Sequence, residues 1–367
     1  MLEIKEKKIA APIIQGGMGV GVSLAPLAGA VAKEGGAGII SSACLDIIAS
    51  KRTKRKVGIY EAICIEISNA KNMSGGGIIG INIMFALAKD FENSVRAAID
   101  AGADMIISGA GLPLNLPKIQ NPKNTGLIPI VSSARALDLI CKKWERAGYQ
   151  PDAVVLEGPL AGGHLGFKME AIDLEENILE NLLGPVKDIA KKYGDFPVIV
   201  AGGVFDSGDI NKFLEMGADG VQMGTRFLAT EESSATPEYK QAVLSAKQED
   251  ILVADGILYP GSPCGLPFRV IRQSPMFISS LKQSRAPKCS RGYVLQRDEA
   301  GNFTRCSAKE NNKNFFCVCN GLISSAGYEP NEEPLYTVGA NAYRINKILK
   351  VKDLMNELKS GLKQQTR

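Results

Sequence analysis

The chain has few residues that titrate near neutral pH, since His164 is the only histidine among 367 residues. Tryptophan is equally scarce, with one residue. No window approaches the roughly 18 uninterrupted apolar residues of a membrane-spanning helix, and the N-terminus lacks the apolar stretch of a secretory signal. An excess of one charge is also missing, since 43 lysines and arginines face 39 aspartates and glutamates. We therefore expect a cytoplasmic protein that binds neither nucleic acid nor a membrane.

Cysteine is sparse, with eight residues in the whole chain, which fits a reducing compartment better than a disulfide framework. Three of them, Cys44, Cys64 and Cys141, lie in apolar or helical contexts that suit buried thiols. The other five match neither the paired zinc signature nor a ferredoxin run, and no second histidine is present to complete a mixed site. We predict no metal and take packed thiols as the default for Cys264, Cys289, Cys306, Cys317 and Cys319, with a thiolate-bound structural zinc or iron–sulfur cluster as the alternative.

Short β-branched runs alternate with helical stretches up to about residue 230, a pattern typical of parallel strands joined by crossover helices. Small or polar residues end each run. Eight such units favour a (β/α)8 TIM barrel, which gathers these strand ends at one face, over a doubly wound open sheet. The predicted strands are Pro12–Gln15, Gly38–Ser41, Ile78–Met84, Met105–Ser108, Ile128–Ser132, Ala153–Glu157, Pro197–Ala201 and Gly220–Met223.

Beyond the barrel, the composition shifts towards Pro, Ser, Lys and Cys and the strand-helix period disappears. We expect the barrel at residues 1–230, a cysteine-bearing lobe at 231–335, and a C-terminal helical segment at 336–367 that packs back on the barrel. The predicted barrel helices are Leu24–Lys33, Phe91–Ala101, Ala134–Ala147, Ile178–Lys192 with a break at Gly184-Pro185, and Asp209–Met216 with Asp206 or Ser207 as N-cap.

His164 follows the apolar run Ala153–Leu156 and directly succeeds two glycines. Glycines let a backbone and a ligand approach closely, and imidazole titrates near neutral pH, so His164 is the candidate catalytic base. The alternative is a structural histidine.

Two glycine-containing turns follow the last two predicted strands. Gly202-Gly203 comes after the seventh strand, and Gly224-Thr225 comes after the eighth and opens a short helix. Phosphate groups in barrels are commonly held by backbone N–H groups at these two positions. The sequence therefore predicts a phosphate cradle, whether for a cofactor or for a substrate.

Five segments together resemble the nitronate monooxygenase family, formerly 2-nitropropane dioxygenase, whose superfamily includes the FMN-dependent enoyl-acyl-carrier-protein reductases. The order and spacing agree over most of the barrel. The matching segments are Ala11-Pro12-Ile13-Ile14-Gln15-Gly16-Gly17-Met18-Gly19, Gly80-Ile81-Asn82-Ile83-Met84, Ala161-Gly162-Gly163-His164, Val200-Ala201-Gly202-Gly203 and Gln222-Met223-Gly224-Thr225-Arg226-Phe227.

The resemblance implies a TIM barrel with non-covalent FMN and assigns roles to particular residues. His164 would act near the flavin N5 as base or polarising donor. Glu157 contacts flavin or substrate, or else accepts backbone N–H bonds at a strand end. The implied cofactor-binding residues are Gly17, Met18 and Gly19 against the ring, Asn82 at its polar edge, Glu157, Gly162 and Gly163 in the histidine loop, and Gly202, Gly203, Gly224 and Thr225 at the phosphate.

The resemblance also implies an oxidoreductase acting on a small molecule. The main hypothesis is oxidation of alkyl nitronates or nitroalkanes by O2 to carbonyl compounds and nitrite. The alternative is an NAD(P)H-dependent enoyl thioester reductase, or an NAD(P)H:flavin or quinone oxidoreductase. Leu160 replaces a polar residue common in the monooxygenases, while Glu157-Gly158 before Gly162-Gly163-His164 resembles the reductases with Ala161 in place of Ser. A homodimer is compatible with the sequence.

Two readings from other classes stay open: a flavin-binding protein without turnover, and a phosphate-binding barrel without flavin. The proline-rich loop at residues 260–267 is the predicted lid over the barrel mouth. Aromatic residues beside it could line a pocket or form the lobe core, namely Tyr259, Phe268 and Phe277.

Overall fold

A computed structural model describes residues 1–87, 90–282, 306–310 and 314–363. Its strands are β1 (Leu2–Ile4), β2 (Lys7–Ile9), β3 (Ile13–Gln15), β4 (Ala37–Ser41), β5 (Ile78–Met84), β6 (Met105–Gly109), β7 (Gly126–Val131), β8 (Val154–Glu157), β9 (Gly163–His164), β10 (Val198–Ala201), β11 (Gly220–Met223), β12 (Ile251–Ala254) and β13 (Phe268–Ile271).

The helices are α1 (Ala25–Lys33), α2 (Leu45–Thr53), α3 (Ile59–Ser74), α4 (Phe91–Asp100), α5 (Leu116–Ile119), α6 (Ala134–Glu145), α7 (Leu179–Lys192), α8 (Ser207–Glu215), α9 (Thr225–Leu228), α10 (Pro237–Ser245), α11 (Pro275–Lys282), α12 (Ser307–Glu310), α13 (Val318–Ser325) and α14 (Val351–Ser360). Within the described ranges, no helix combines the length and apolar character needed to cross a membrane.

Eight parallel strands close into a barrel in the order β3, β4, β5, β6, β7, β8, β10, β11, and β11 returns to pair with β3. The closing register joins Val221 to Ile13. Closure confirms the predicted (β/α)8 architecture and excludes the open sheet. Each of the eight predicted runs contains the core of an observed strand, because strands covered on both faces need continuous apolar runs.

Apolar side chains from different strands fill the barrel interior and have no solvent exposure. They include Ile14, Ile39, Ile107 and Ile199. An N-terminal hairpin, β1 paired antiparallel with β2, adds the buried side chains of Leu2, Ile4 and Ile9 to this cluster. Packing of this kind makes the barrel a rigid support, so that its polar strand ends are held in place.

The predicted break in α7 at Gly184-Pro185 is wrong. The helix runs through Pro185 without interruption. Both Gly184 and Pro185 lie on its exposed face, as does Asn181, whose carbonyl loses its helical partner to the proline. Because that carbonyl faces solvent, water can satisfy it and the helix continues. The predicted Asp206 cap of α8 is confirmed, since its side chain accepts the Asp209 N–H at 3.1 Å.

The lobe is built around a three-stranded antiparallel sheet in the order β12, β13, β9. Its middle strand pairs Phe268 with His164 and Arg269 with Gly163, so the histidine loop of the barrel is also an edge of the lobe sheet. The C-terminal α14 packs against α1 and α8 with its buried face in the main core. The boundaries near residues 230 and 335 stay predictions.

Candidate active site

A cavity of about 250 Å³ opens at the carboxyl ends of the barrel strands. Every residue predicted for catalysis or cofactor binding lines it, although these residues come from several different strands and from the loops that follow them. Their individual roles stay predictions, but the structure brings together His164, Gly17, Met18, Gly19, Asn82, Glu157, Gly162, Gly163, Gly202, Gly203, Gly224 and Thr225.

One side of the cavity is made of backbone that approaches other backbone too closely for side chains. Gly202 has a φ of +87°, and a Cβ there would lie 2.7 Å from the carbonyl oxygen of Gly158. A Cβ on Gly162 would lie 2.6 Å from the carbonyl carbon of Val338. Both positions therefore require glycine. The main chain at Gly202, Gly203 and Gly224, here called the cradle, lines the cavity directly, as backbone does at sites where N–H groups bind anions.

The segment 337–342, here called the strap, closes the cradle from the C-terminal part of the chain. The Gly339 N–H donates to Thr225 Oγ1 at 2.8 Å, and Asn341 Nδ2 donates to the Gly203 carbonyl at 2.6 Å. These bonds join the strap to the turns after β10 and β11. The strap was missed by sequence reasoning, and a Gly-Ala-Asn run in an otherwise irregular stretch was its only local signal.

Two residues of the cavity lining also carry polar atoms without protein partners. Gln222 Oε1 and Arg226 Nε are buried and have no hydrogen-bond partner in the described part of the chain. The Arg226 guanidinium lies 4.6 Å from the Phe205 ring centroid and pairs with Glu357 through Nη2 at 2.5 Å. A buried acceptor and a buried donor left open are costly unless a ligand satisfies them.

Glu157 ends β8 and contributes a carboxyl group to the cavity wall. Burial raises its pKa to about 7, because no cation offsets the desolvation of the carboxylate. A carboxyl group with this pKa can be protonated or ionised near neutral pH. It can therefore either donate a hydrogen bond to a ligand or accept one.

His164 lies in β9, and its ring is held from the lobe side. Nε2 is 2.6 Å from the Oγ atom of Ser262, and the ring centroid is 4.6 Å from that of Phe268. Ser262 is only 2% exposed, so water competes little for its hydroxyl group. One hydrogen bond and one aromatic contact thus orient the imidazole towards the cavity that it lines.

Arg269, next to Phe268 in β13, holds the loop that precedes His164. Its Nη1 donates to the carbonyl oxygens of Pro159, at 2.8 Å, and Ala161. The residue is 5% exposed, and burial lowers its pKa to about 10. Because its charged guanidinium donates to two buried carbonyls, Arg269 holds the lobe sheet against the histidine loop of the barrel.

The predicted lid, residues 260–267, does not line the cavity, but Phe268 directly after it does. Ser262 within that segment reaches the site by bonding His164. Tyr259 and Phe277 belong to the lobe core instead, with ring centroids 5.3 Å apart, and Phe277 also contacts Phe316. Of the three aromatic residues considered, Phe268 is therefore the one at the cavity.

Among the described residues, no group of three or more His, Cys, Asp or Glu side chains could hold a metal ion. Cys289 lies outside those residues. The Cys264 Sγ atom is 3.1 Å from the Oγ atom of Ser262, which is also bonded to His164. Sequence reasoning did not find Ser262, Cys264 or Arg269 as site residues, since each acts across about 100 residues of chain.

The chain matches the nitronate monooxygenase family model over residues 2–361. A probable nitronate monooxygenase of Staphylococcus haemolyticus (strain JCSC1435) is 34% identical over 169 residues, which are 46% of this chain and 45% of that protein. The alignment thus spans about half the length of that relative. The (3aS,4S,5R,7aS)-5-hydroxy-7a-methyl-1-oxo-octahydro-1H-indene-4-carboxyl-CoA dehydrogenase of Mycobacterium tuberculosis (strain ATCC 25618 / H37Rv) is 31% identical over 301 residues, 81% of this chain and 71% of that protein.

Solved structures agree with the fold. FabK from Thermotoga maritima superposes with a TM-score of 0.69 at 26% identity, covering 96% of this chain and 93% of FabK. Nitroalkane oxidase from Streptomyces ansochromogenes superposes with a TM-score of 0.65 over 96% of each chain. Its identity of 20% supports the shared fold alone.

Proposed function

The chain belongs to the nitronate monooxygenase family, and on this premise we propose that it is an FMN-dependent oxidoreductase that oxidises alkyl nitronates or nitroalkanes with O2 to carbonyl compounds and nitrite. The observation that carries the proposal is the placement of His164, the single histidine, in the wall of a cavity whose other side is a glycine cradle. A base and an anion-binding surface thereby face one ligand space.

The cavity fits FMN by the chemistry of its own atoms. The cradle around Gly202, Gly203, Gly224 and Thr225 suits the phosphate. Arg226 in the cavity lining keeps an unpaired Nε donor, although its Nη2 pairs with Glu357. The open Oε1 acceptor of Gln222 and the amide of Asn82 suit the polar edge of the isoalloxazine. When bound, FMN would supply the electron transfer from the substrate to oxygen.

The chain's own contribution is proton handling and orientation. When the substrate is a nitroalkane, His164 takes the proton from the carbon next to the nitro group, whereas a nitronate has already lost it. The Ser262 hydroxyl at Nε2 fixes the ring. Arg269 holds the loop on which His164 is carried. Phe268 beside the imidazole keeps that side of the cavity apolar, which excludes water from the acidic carbon.

The second candidate is an NAD(P)H-dependent enoyl thioester reductase. The likeness to FabK, an enoyl-acyl-carrier-protein reductase, favours it, as does Leu160, an aliphatic side chain at the cavity wall where the monooxygenases commonly have a polar one. In that reaction, His164 would orient the thioester carbonyl or supply its proton.

Anaerobic spectroscopy of the FMN-loaded protein separates these functions. Ethyl nitronate, NADH and NADPH are added in separate experiments while the flavin band is followed. Bleaching by nitronate alone, with nitrite formed once air is admitted, is the expected result. Rapid bleaching by a nicotinamide that is reversed by crotonyl thioester would replace the proposal with the reductase. A protein that binds no FMN would overturn both.

A further inference from the structure

Three side chains of different chemistry meet where the lobe touches the barrel: His164, Ser262 and Cys264. Ser262 lies between the other two, with its Oγ 2.6 Å from His164 Nε2 and 3.1 Å from Cys264 Sγ. Ser262 is buried, whereas Cys264 is partly exposed. Cys264 therefore keeps contact with solvent in the folded protein, as modification by a small reagent requires.

The hydrogen bonds of this group can all run in one direction. When the neutral imidazole carries its proton on Nδ1, the Ser262 hydroxyl donates to Nε2 and accepts from the Cys264 thiol. The Leu266 N–H also donates to the sulfur. The thiol proton thus has a path through Ser262 to His164, and the resulting thiolate keeps a backbone donor and an adjacent imidazolium.

The pKa of the Cys264 thiol agrees with a proton path through Ser262 to His164. Burial raises the pKa of the Cys264 thiol, but the hydrogen bond and charge of His164, together with the Ser262 hydroxyl and the Leu266 N–H, lower it to about 7. Cys141 shows the contrast, because burial raises its pKa to about 12. Burial raises the pKa of Cys64 as well. These two thiols provide built-in references for an unactivated sulfur.

We propose that Cys264 is a covalent modification site for soft carbon electrophiles of the α,β-unsaturated carbonyl class, with His164 as its base and Ser262 as the proton carrier. The sulfur forms a bond to the β carbon while the double-bond electron pair moves to the α carbon. The thiol proton, held meanwhile on His164, then adds to the α carbon. Nothing is oxidised or reduced, so this chemistry is separate from the proposed flavin reaction.

The test is the rate of alkylation at each cysteine, measured by peptide mass spectrometry on the purified protein between pH 5.5 and 9. N-ethylmaleimide represents the unsaturated carbonyls, and iodoacetamide is a second, unrelated electrophile. We expect Cys264 to react faster than Cys64 and Cys141, with half of its maximal rate reached near pH 7. His164→Ala and Ser262→Ala should each slow Cys264 at pH 6.5 by about tenfold or more.

Two controls keep the result interpretable. Ser280→Ala removes a lobe hydroxyl that donates to the Phe277 carbonyl at 2.7 Å, and it should leave the Cys264 rate unchanged. Cys141, which is 1% exposed, reports unfolding, because a variant that labels there has lost its core. The pH profile of the unmodified sequence needs no variant at all.

The proposal fails if that profile has its midpoint above about pH 8, the range of an ordinary thiol. It also fails if both variants keep the parent rate while Cys141 stays protected. Because alkylation requires no turnover, a negative result here leaves the oxidoreductase proposal standing, and failure of the flavin experiment leaves this one standing.

Discussion

The two sides of the cavity are built on different principles. The barrel side is backbone, with glycines such as Gly162 and Gly202 at positions where any Cβ would collide with another main-chain segment. The lobe side is made of side chains, with Ser262 and Arg269 holding His164 and its loop. We infer that the barrel side determines what binds, whereas the lobe side determines the protonation and orientation of the group that acts on it.

Replacement of His164 should separate the contributions of the two sides most clearly, because it should affect turnover but not FMN binding. His164→Ala removes the proposed base, and turnover with nitroethane, which still carries the proton to be removed, should fall about 10²-fold to 10⁴-fold. FMN affinity, measured by flavin fluorescence quenching, should stay within about threefold of the parent, since the cradle lies elsewhere. Turnover at the parent rate would remove His164 from the mechanism.

Removing the guanidinium of Arg269 tests whether the lobe holds the histidine loop. Arg269→Met leaves the Pro159 and Ala161 carbonyls without their charged donor and should lower the free energy of unfolding by about 3 kcal/mol in urea titrations. Arg272→Met, three residues away and exposed, is the matched control and should change it by less than about 0.5 kcal/mol. Equal effects of both substitutions would contradict the inference that Arg269 holds the loop before His164.

Glu157 is the titratable exception on the barrel side. Its pKa is raised to about 7 in the folded protein, so the folded state holds a proton that the unfolded state releases above its ordinary pKa. Stability should therefore fall as the pH rises from about 4.5 to 7 and level off above that. Glu157→Gln, which mimics the protonated form, should be more stable than the parent by about 1–3 kcal/mol at pH 8.

The measurement is denaturant unfolding of both proteins at several pH values between 5 and 8. The advantage of the Gln variant should shrink as the pH falls towards 5. A difference that is the same at every pH would mean that Glu157 does not titrate in this range.

A methyl group in the cradle should have the smallest effect of the four changes, and a selective one. Gly202→Ala forces a Cβ to within 2.7 Å of the Gly158 carbonyl and strains a φ of +87°, so FMN affinity should drop about tenfold. Gly184→Ala is the control, since a Cβ there meets no atom within 4 Å and α7 favours alanine. It should leave FMN affinity unchanged. An equal loss of FMN affinity in both variants would mean that the close backbone packing at Gly202 is not the cause.

Much of the barrel could be predicted because both the strands and the strand ends have local signatures. Continuous apolar runs such as Ile78–Met84 mark strands covered on both faces, and glycines mark the turns that follow them. Pro185 misled the prediction because a local rule about proline cannot tell whether the freed carbonyl will face water. The hairpin of β1 and β2 was missed for a similar reason, since strands of three residues carry little pattern.

The candidate site was half predictable. The barrel-side residues could be found because they lie near the ends of strands or in the turns after them, and His164 because it is the only histidine in the sequence. The lobe side could not, because Ser262 and Arg269 lie in chain with no regular period, and the strap around Gly339 lies still farther along.

The amino-acid sequence by itself determined the run of eight strands, the glycine turns after them and the uniqueness of His164, because these depend on local apolar patterning and residue identity. Only the tertiary structure decided that the sheet closes, that the strap completes the cradle, and that a serine about 100 residues away meets the imidazole. Those outcomes depend on packing between distant segments, where burial removes water and polar atoms must find hydrogen-bond partners within the protein.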